Sequence, residues 1–179
     1  MPTEAYIALV VSEFRRLKEL ADRAISQLPA DAFFVRPVET DNSVAVIVKH
    51  VSGNMRSRWR DFLTSDGEKP DRKRDSEFII SADDTRENLC AAWEQGWAIL
   101  FDALAPLRLF DLERSVTIRG ESLTVLQAIN RQLSHYAYHV GQVVYLAKHL
   151  SGRDWKTLSI PLGGSEQFNR APKRYLQKS

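Results

Sequence analysis

The chain has a single cysteine and no long hydrophobic run, and these two features limit the cellular compartments in which we expect it. Cys90 alone cannot form an intrachain disulfide, which fits a reducing compartment. No apolar stretch approaches the roughly 18 residues of a membrane span. The first residues also lack the basic-then-apolar pattern of a secretory signal. We therefore expect a cytoplasmic protein with no membrane partner.

The chain also lacks a large excess of either charge, and it lacks the glycine-rich motifs that bind phosphates. The net charge is only +2, and the 25 basic residues are interleaved with 23 acidic ones, so we expect no nucleic-acid partner. The eight glycines form neither a phosphate-binding loop nor a dinucleotide-binding pattern. A chain of 179 residues can bury a sizeable core. We predict one domain over 1–179, in which residues 151–179 form a tail packed on the rest.

Apolar residues recur every three or four positions in four long segments. This period predicts helices over 3–28, 43–64, 82–104 and 122–150, and hence an all-α fold, a four-helix bundle. Ser122 is the expected N-cap of the last helix, and Ser81 with Asp84 resembles a capping pair for the third. The β-prone residues Val116-Thr117-Ile118 favour a small β-hairpin near 109–118, before the fourth helix.

The connection between the second and third helices, residues 65–82, is long and charged. Its run Asp71-Arg72-Lys73-Arg74-Asp75 mixes both signs, which is typical of a solvated loop. The connection could extend over about 55 Å, enough to return the chain along the whole bundle. The second and third helices therefore need not be simple antiparallel neighbours.

Histidines on two predicted helices suggest a metal site. His135 and His139 are four residues apart, so their imidazoles share one side of the fourth helix and are close enough to share an ion. Such a pair alone is a weak signal. A third histidine, His50 on the second helix, strengthens it because bundles build metal sites from facing helices. Three protein ligands leave a coordination position for water or substrate, as catalytic sites do.

Other kinds of site fit these residues less well. Position 136 is Tyr, so the glutamate of the H-E-x-x-H metalloprotease motif is missing. Cys90 has no base visible in the sequence, and Ser134 lacks the glycines of a nucleophile elbow. His149, in the last turn of its helix, suits the helix dipole better than a ligand role.

The residues that could orient a ligand imidazole through its other ring nitrogen are less certain than the ligands. Polar side chains near the histidines in the predicted helices are the candidates, and they are Asn54, Asp61 and Gln142. No catalytic residue beyond these can be named from the sequence.

Three segments carry a resemblance to a known family. They are VAVIVKHVSGNMRSRW around His50, HYAYHVGQVVYLAKHL around His135 and His139, and WKTLSIPLGGSEQFN in the tail. Together they resemble the DinB/YfiT-like superfamily of metal-binding helical bundles, in an uncharacterised branch, over nearly the full chain. The order and spacing of the three histidines are more specific than either segment alone.

The resemblance implies a fold, a metal and a class of reaction. It implies a four-helix bundle with a long connection between the second and third helices, and a divalent ion, nickel or zinc, held by His50, His135 and His139. It also implies a homodimer. Characterised members include thiol S-transferases that use low-molecular-weight thiols, so a thiol-dependent S-transferase or a hydrolase acting on a small molecule is the first expectation. A non-catalytic bundle with a structural or regulatory metal is the alternative.

Overall fold

The computed structural model describes residues 4–170 and consists mostly of helix. Its long helices are α1 (Glu4–Ile25), α2 (Val44–Trp59), α3 (Arg86–Leu104) and α4 (Val125–Ser151), with the two-stranded sheet β1 (Ser115–Ile118) and β2 (Glu121–Thr124) before α4 and the short α5 (Ser165–Arg170) after it. The predicted bundle, its long connection and the small hairpin are confirmed. Residue 3 of the predicted first helix and residues 171–179 of the predicted tail lie outside the described residues.

The four long helices bury one another's apolar faces, with α2 packed mainly on α3 and α1 on α4. Aromatic rings from all four meet at the centre, where Phe14 lies 6.1 Å from Trp59, 6.3 Å from Trp97 and 5.9 Å from Tyr136 between ring centroids. Each of these four side chains is almost fully buried. Burial of large aromatic side chains dominates the energetics of such a core, so it fixes the relative positions of α2 and α4.

Helix α2 begins unusually deep in the protein. Its first five residues, Val44–Val48, are all buried, and the Ser43 hydroxyl caps them by accepting from the amide of Val46 at 3.3 Å. A helix that is apolar all round at one end is enclosed there on all sides. The next turn carries His50, which is therefore held in a buried position, with 5% of its surface exposed.

Four helix ends differ from the sequence prediction: α1 ends at Ile25 rather than at 28, and turn chemistry sets the other three. α2 ends at Trp59 rather than 64, since Arg60 is extended and Asp61 adopts a left-handed conformation with φ of 51°. Asp tolerates that region better than most residues, which makes it a common site of chain reversal. The carbonyl of Asp61 then accepts from the amides of Thr64 and Ser65, in a turn.

The third and fourth helices begin later than predicted. Thr85, not Ser81, caps α3 by accepting from the amide of Asn88, while Asp84 accepts from Ser81 in the turn before it. Ser122 is not the cap of α4, because it pairs with Thr117 in the hairpin; Thr124 caps α4 in a capping box with Gln127. The hairpin therefore lies over 115–124 rather than 109–118, and Leu109–Glu113 forms a 3₁₀ turn.

The connection between α2 and α3 is packed against the bundle rather than being a free loop. The Asp66 carboxylate accepts from the amides of Glu68, Arg119 and Gly120 at 2.6, 2.9 and 2.8 Å, which ties the connection to the tip of the hairpin. These amide donors lower the pKa of Asp66 to about 2. The prediction of a fully solvated charge run was therefore wrong in part: Asp75 is exposed, but the Arg72 side chain is only 4% exposed.

The described part of the tail returns to the end of α1. Ser151 donates to the carbonyl of Gln27 at 3.1 Å, and the Gln27 side chain bonds both the amide and the carbonyl of Lys156. Trp155 and Leu158 are half-buried against the core. The assignment of the whole chain to one domain remains a prediction.

Candidate metal centre

The fold brings the three predicted histidines together. His50 comes from α2, and His135 and His139 come from successive turns of α4. Their ring centroids are 4.7 to 5.5 Å apart, and one ring nitrogen from each lies within 4.8 Å of the other two. His50 is buried, and the other two are half-buried, so the cluster borders the core at a point that solvent reaches.

Glu77 sets the orientation of His50. Its Oε2 lies 2.8 Å from Nδ1 of His50, and both side chains are buried, with 8% and 7% exposed. A carboxylate accepts only, so Nδ1 carries a hydrogen, and Nε2 is the nitrogen through which the neutral ring can bind an ion. Phe78 lies on the His50 ring at 4.9 Å between centroids and holds its plane. His50 is thus fixed in the tautomer that can bind a cation through Nε2.

Gln142 gives His139 the same arrangement. Its side-chain oxygen, as assigned from the hydrogen-bond network, accepts from Nδ1 of His139 at 2.9 Å. Nε2 of His139 then faces Nε2 of His135 at 3.1 Å. Two of the three rings therefore have their Nδ1 atoms occupied, which leaves Nε2 as the nitrogen that can bind an ion, in place of the contact between His139 and His135. This donor set suits a divalent ion that prefers imidazole nitrogen.

The electrostatics keep the rings of His135 and His139 neutral. Burial, followed by the proximity of His139 and His50, lowers the pKa of His135 to about 3. Burial also lowers the pKa of His139, against the hydrogen bond to Gln142, which favours the charged form. Neutral imidazole is the form that ligates a metal, so the rings need lose no proton to do so near neutral pH.

A chain of buried charges extends from Glu77 away from the histidines. Arg72 donates to both carboxylate oxygens of Glu77, from Nε and Nη2, at 2.8 Å each. Glu68 joins Arg72, Arg58 and Arg119, at 3.4, 3.0 and 3.1 Å. Burial alone would raise the pKa of Glu77, but the hydrogen bonds from His50 and Arg72 outweigh it, and the pKa is lowered. Glu77 is therefore ionised and held on two sides.

Gly53 makes room for Glu77. It lies in the interior of α2, about one turn after His50, where a Cβ atom would clash with Oε1 of Glu77 and come within 2.8 Å of its Cδ atom. Glycine in a helix interior costs about 1 kcal/mol relative to alanine. Here the missing side chain lets a carboxylate from the connection reach the helix surface.

The other sequence candidates lie in different places. Asn54 accepts from the Tyr136 hydroxyl at 3.0 Å, and that hydroxyl accepts from Trp59 at 3.0 Å, so Asn54 orients a buried tyrosine. Asp61 belongs to the turn after α2. Exposed His149 stacks on Tyr145 in the last turns of α4, apart from the three clustered histidines. Of the three candidates for orienting a ligand, Gln142 contacts a histidine.

A groove of about 540 Å³ lies next to Gln142, the side chain that contacts His139, although none of the three histidines lines it. Gln142 forms part of its wall with Gly141, the exposed rings of Tyr138 and Tyr145, and Asp41. The Tyr138 ring is 5.2 Å from His139 between centroids. A small molecule in this groove would lie against residues that contact the histidine cluster.

Comparison with known families agrees with this geometry. Residues 2–164 match the profile of a family described as "Protein of unknown function (DUF1572)". The chain belongs to this DUF1572 family. The crystal structure of YjoA, a DinB-like protein from Bacillus subtilis, is similar to it with a TM-score of 0.62 and 16% identity, over 83% of this chain and 96% of that one. The search of curated proteins found no match.

For this DUF1572 chain, the structural likeness establishes the DinB-like fold. The resemblance read from the three sequence segments is thereby confirmed at the level of fold. At 16% identity, the likeness carries no information on reaction or substrate. Within the described residues, no helix is long and apolar enough to cross a membrane.

Proposed function

We propose that the protein binds one divalent metal ion through His50, His135 and His139 and uses it in a reaction on a small molecule. The observation that carries the proposal is the orientation of two of the rings: Glu77 and Gln142 occupy the Nδ1 atoms, so Nε2 is the nitrogen that each ring can offer to the ion. Histidine ligands whose other nitrogen is held by a carboxylate or a carbonyl are typical of protein metal sites.

The ion supplies Lewis acidity when it is bound, and this lowers the pKa of a thiol or water placed on it. The protein's own residues do the rest. Glu77 and Gln142 hold two imidazoles in place, the rings of His135 and His139 are half-buried, and the groove reaches the cluster through Gln142 and Tyr138, which contact His139. The groove offers aromatic walls and the Gln142 amide to a substrate.

The reaction we propose is thiol-dependent S-transfer, with hydrolysis as the second form. In S-transfer, the sulfur of a low-molecular-weight thiol bonds to an electrophilic carbon of the acceptor and displaces a leaving group. Nickel and zinc are the proposed ions because both accept imidazole nitrogen and thiolate sulfur. The alternative, a non-catalytic bundle with a structural or regulatory metal, uses the same three ligands. The homodimer remains a prediction.

The first test is metal content. The purified chain should hold close to one ion when loaded with nickel or zinc and dialysed, and His139→Ala should abolish stoichiometric binding, because two imidazoles rarely hold such an ion tightly. His149→Ala is the matched control, since His149 is exposed and stacks on Tyr145, and it should bind as the wild type does. Equal loss in both variants would contradict the site.

The second test separates the enzyme from the non-catalytic bundle. Loaded protein is incubated with a panel of low-molecular-weight thiols and an electrophilic acceptor, and separately with a panel of esters. The loss of free thiol or of ester is followed against the His139→Ala variant. Turnover that requires both the metal and His139 supports the enzyme. Stoichiometric metal without turnover of any thiol or ester in the panel favours the structural or regulatory role.

A further inference from the structure

A second concave surface lies on the other side of α2 from the histidines of α4. It is a cleft of about 380 Å³ between α2, α3 and the connection, and we call it the α2–α3 cleft. This volume is at the lower end of the range for small-molecule pockets, about 300–1,000 Å³. Its lining includes the small residues Ser52, Gly53 and Gly96, where Glu77 packs closely on Gly53 and Met55 on Gly96.

Basic side chains line this cleft in excess. α2 contributes two cations, seven residues apart, and the connection after it adds three more. The five cationic residues are Lys49, Arg56, Arg60, Arg72 and Lys73, and the three carboxylates are Asp71, Glu77 and Asp84. The lining therefore carries a net charge of +2. A concave site with a surplus of one sign concentrates ligands of the opposite sign.

The three carboxylates are already paired within the cleft. Asp84 accepts from Lys49 at 2.7 Å, Asp71 from Arg60 at 2.6 and 3.0 Å, and Glu77 from Arg72 at 2.8 Å. The two remaining cations are Arg56 and Lys73, and within residues 4–170 no carboxylate lies within 4.0 Å of either; Asp71, held by Arg60, is near enough to Arg56 for the guanidinium to help lower its pKa. They approach the same space from two elements, Arg56 from α2 and Lys73 from the connection.

The wall opposite these cations is partly apolar. Leu89, Ala92 and Ile99 of α3 line it, together with the polar side chains Asn88 and Gln95. A bare inorganic ion would leave this wall unused. The combination of a guanidinium, an ammonium and an apolar wall suits a molecule with an anionic group at one end and an apolar body.

We propose that the α2–α3 cleft binds a small organic anion, with its phosphate or carboxylate group between Arg56 and Lys73 and its apolar part against Leu89 and Ile99. The site is separate from the histidine cluster and does not depend on a bound metal. Glu77 connects the two, because its carboxylate lines the cleft and also accepts from His50. A ligand bound in the cleft should therefore change the environment of the His50 ring.

The experiment is a calorimetric titration of the metal-free full chain at constant ionic strength. Phenyl phosphate, inorganic phosphate and benzoate are the probes, and phenethyl alcohol is the uncharged control. Phenyl phosphate should bind more tightly than inorganic phosphate, because it also uses the apolar wall. The stronger of phenyl phosphate and benzoate tells whether a phosphate or a carboxylate is the preferred anionic group.

Two kinds of variant test the position of the anion. Arg56→Gln with Lys73→Gln should weaken the best anionic probe by about tenfold or more, which equals a loss of 1.4 kcal/mol. Lys148→Gln with Arg153→Gln removes the same two residue types from exposed positions outside the cleft and should change the affinity by less than about twofold. Ala92→Phe keeps every charge but fills the cleft, and it should also abolish binding.

Other results would overturn the proposal. Equal weakening in the two double variants would mean non-specific attraction to a basic protein. Unchanged binding in Ala92→Phe would place the anion outside the cleft. No heat with any anionic probe at millimolar concentration, or phenethyl alcohol binding as tightly as phenyl phosphate, would remove the anion site. In NMR spectra, the His50 ring signals should move on saturation with the best probe, and stationary signals would refute the position next to Glu77.

Discussion

The replacement of Glu77 by Gln tests the centre of the site without a change in side-chain volume. Glu77 accepts three hydrogen bonds, from Nδ1 of His50 and from Nε and Nη2 of Arg72, each at 2.8 Å. A glutamine offers one acceptor oxygen and an amide group that must donate. At least one of the three donors therefore loses its acceptor, and the Arg72 guanidinium, only 4% exposed, is left with Glu68 at 3.4 Å as its carboxylate.

The magnitude follows from the burial of this pair. Removal of one partner of a buried ion pair costs about 3–5 kcal/mol, and the remaining Glu68 and the glutamine oxygen reduce this to about 2–4 kcal/mol. With an m value of about 2 kcal/mol per molar urea, the midpoint of unfolding should fall by about 1–2 M. The measurement is urea unfolding of the metal-free protein, followed by circular dichroism.

The same variant should weaken metal binding. When the group that orients a ligand histidine is lost, affinity falls by about 10- to 100-fold. Glu121→Gln is the control for both assays, since Glu121 is 68% exposed and 3.6 Å from Arg131, and its loss should cost less than about 0.5 kcal/mol. If Glu77→Gln unfolds at the same urea concentration as Glu121→Gln and binds metal as the wild type does, the assigned role of Glu77 is wrong.

Two further predictions concern the same site. Gly53→Ala should destabilise the protein in urea and weaken metal binding, since its Cβ would displace the Glu77 carboxylate. Gly141→Ala is the control: no heavy atom lies within 4 Å of its Cβ, so it should stabilise the protein by about 0.5–1 kcal/mol. Stabilisation by both variants would contradict the clash at Gly53. In the folded protein the pKa of His135 is lowered to about 3, so as pH falls the unfolded chain takes up a proton first. The metal-free protein should therefore lose stability as pH falls from about 6.5 towards 3. The loss is at most about 1.4 kcal/mol per pH unit, and less where solvent screens the ring. His135→Gln should flatten this dependence between pH 7 and 5, while an equal slope in wild type and variant would refute it.

The bundle and the histidine pair on α4 could be predicted because both follow the regular residue spacing of a helix. Helix-forming apolar stripes recur over many residues, and the spacing of His135 and His139 places them on one face before any packing is known. His50 could be added to the predicted site because the second and fourth helices of a bundle were expected to face each other. The structure then needed only ordinary helix packing to bring one nitrogen of each ring within 4.8 Å of the others.

The helix ends and Glu77 could not be predicted from the same period. Asp61 stops α2 through a left-handed backbone conformation, and Ser122 joins a strand although a serine cap was equally compatible with its neighbours. Glu77 lies in a run of mixed charge, where burial leaves no periodic trace. Two local signals did exist: the apolar residues Phe78, Ile79 and Ile80 directly after it, and a glycine in the helix interior near His50.

The two oriented histidines depend on the protein in different ways. His139 is held by Gln142, three residues further along the same helix, so its orientation persists wherever α4 is intact. His50 is held by Glu77, which reaches it from the connection and is itself held by Arg72, four residues after Glu68. Glu68 in turn contacts Arg119 at the hairpin tip, and Asp66 binds the same tip. A change in the hairpin or the connection should therefore alter the orientation of His50 more than that of His139. His50 is therefore the histidine through which changes elsewhere in the fold can alter the proposed metal site.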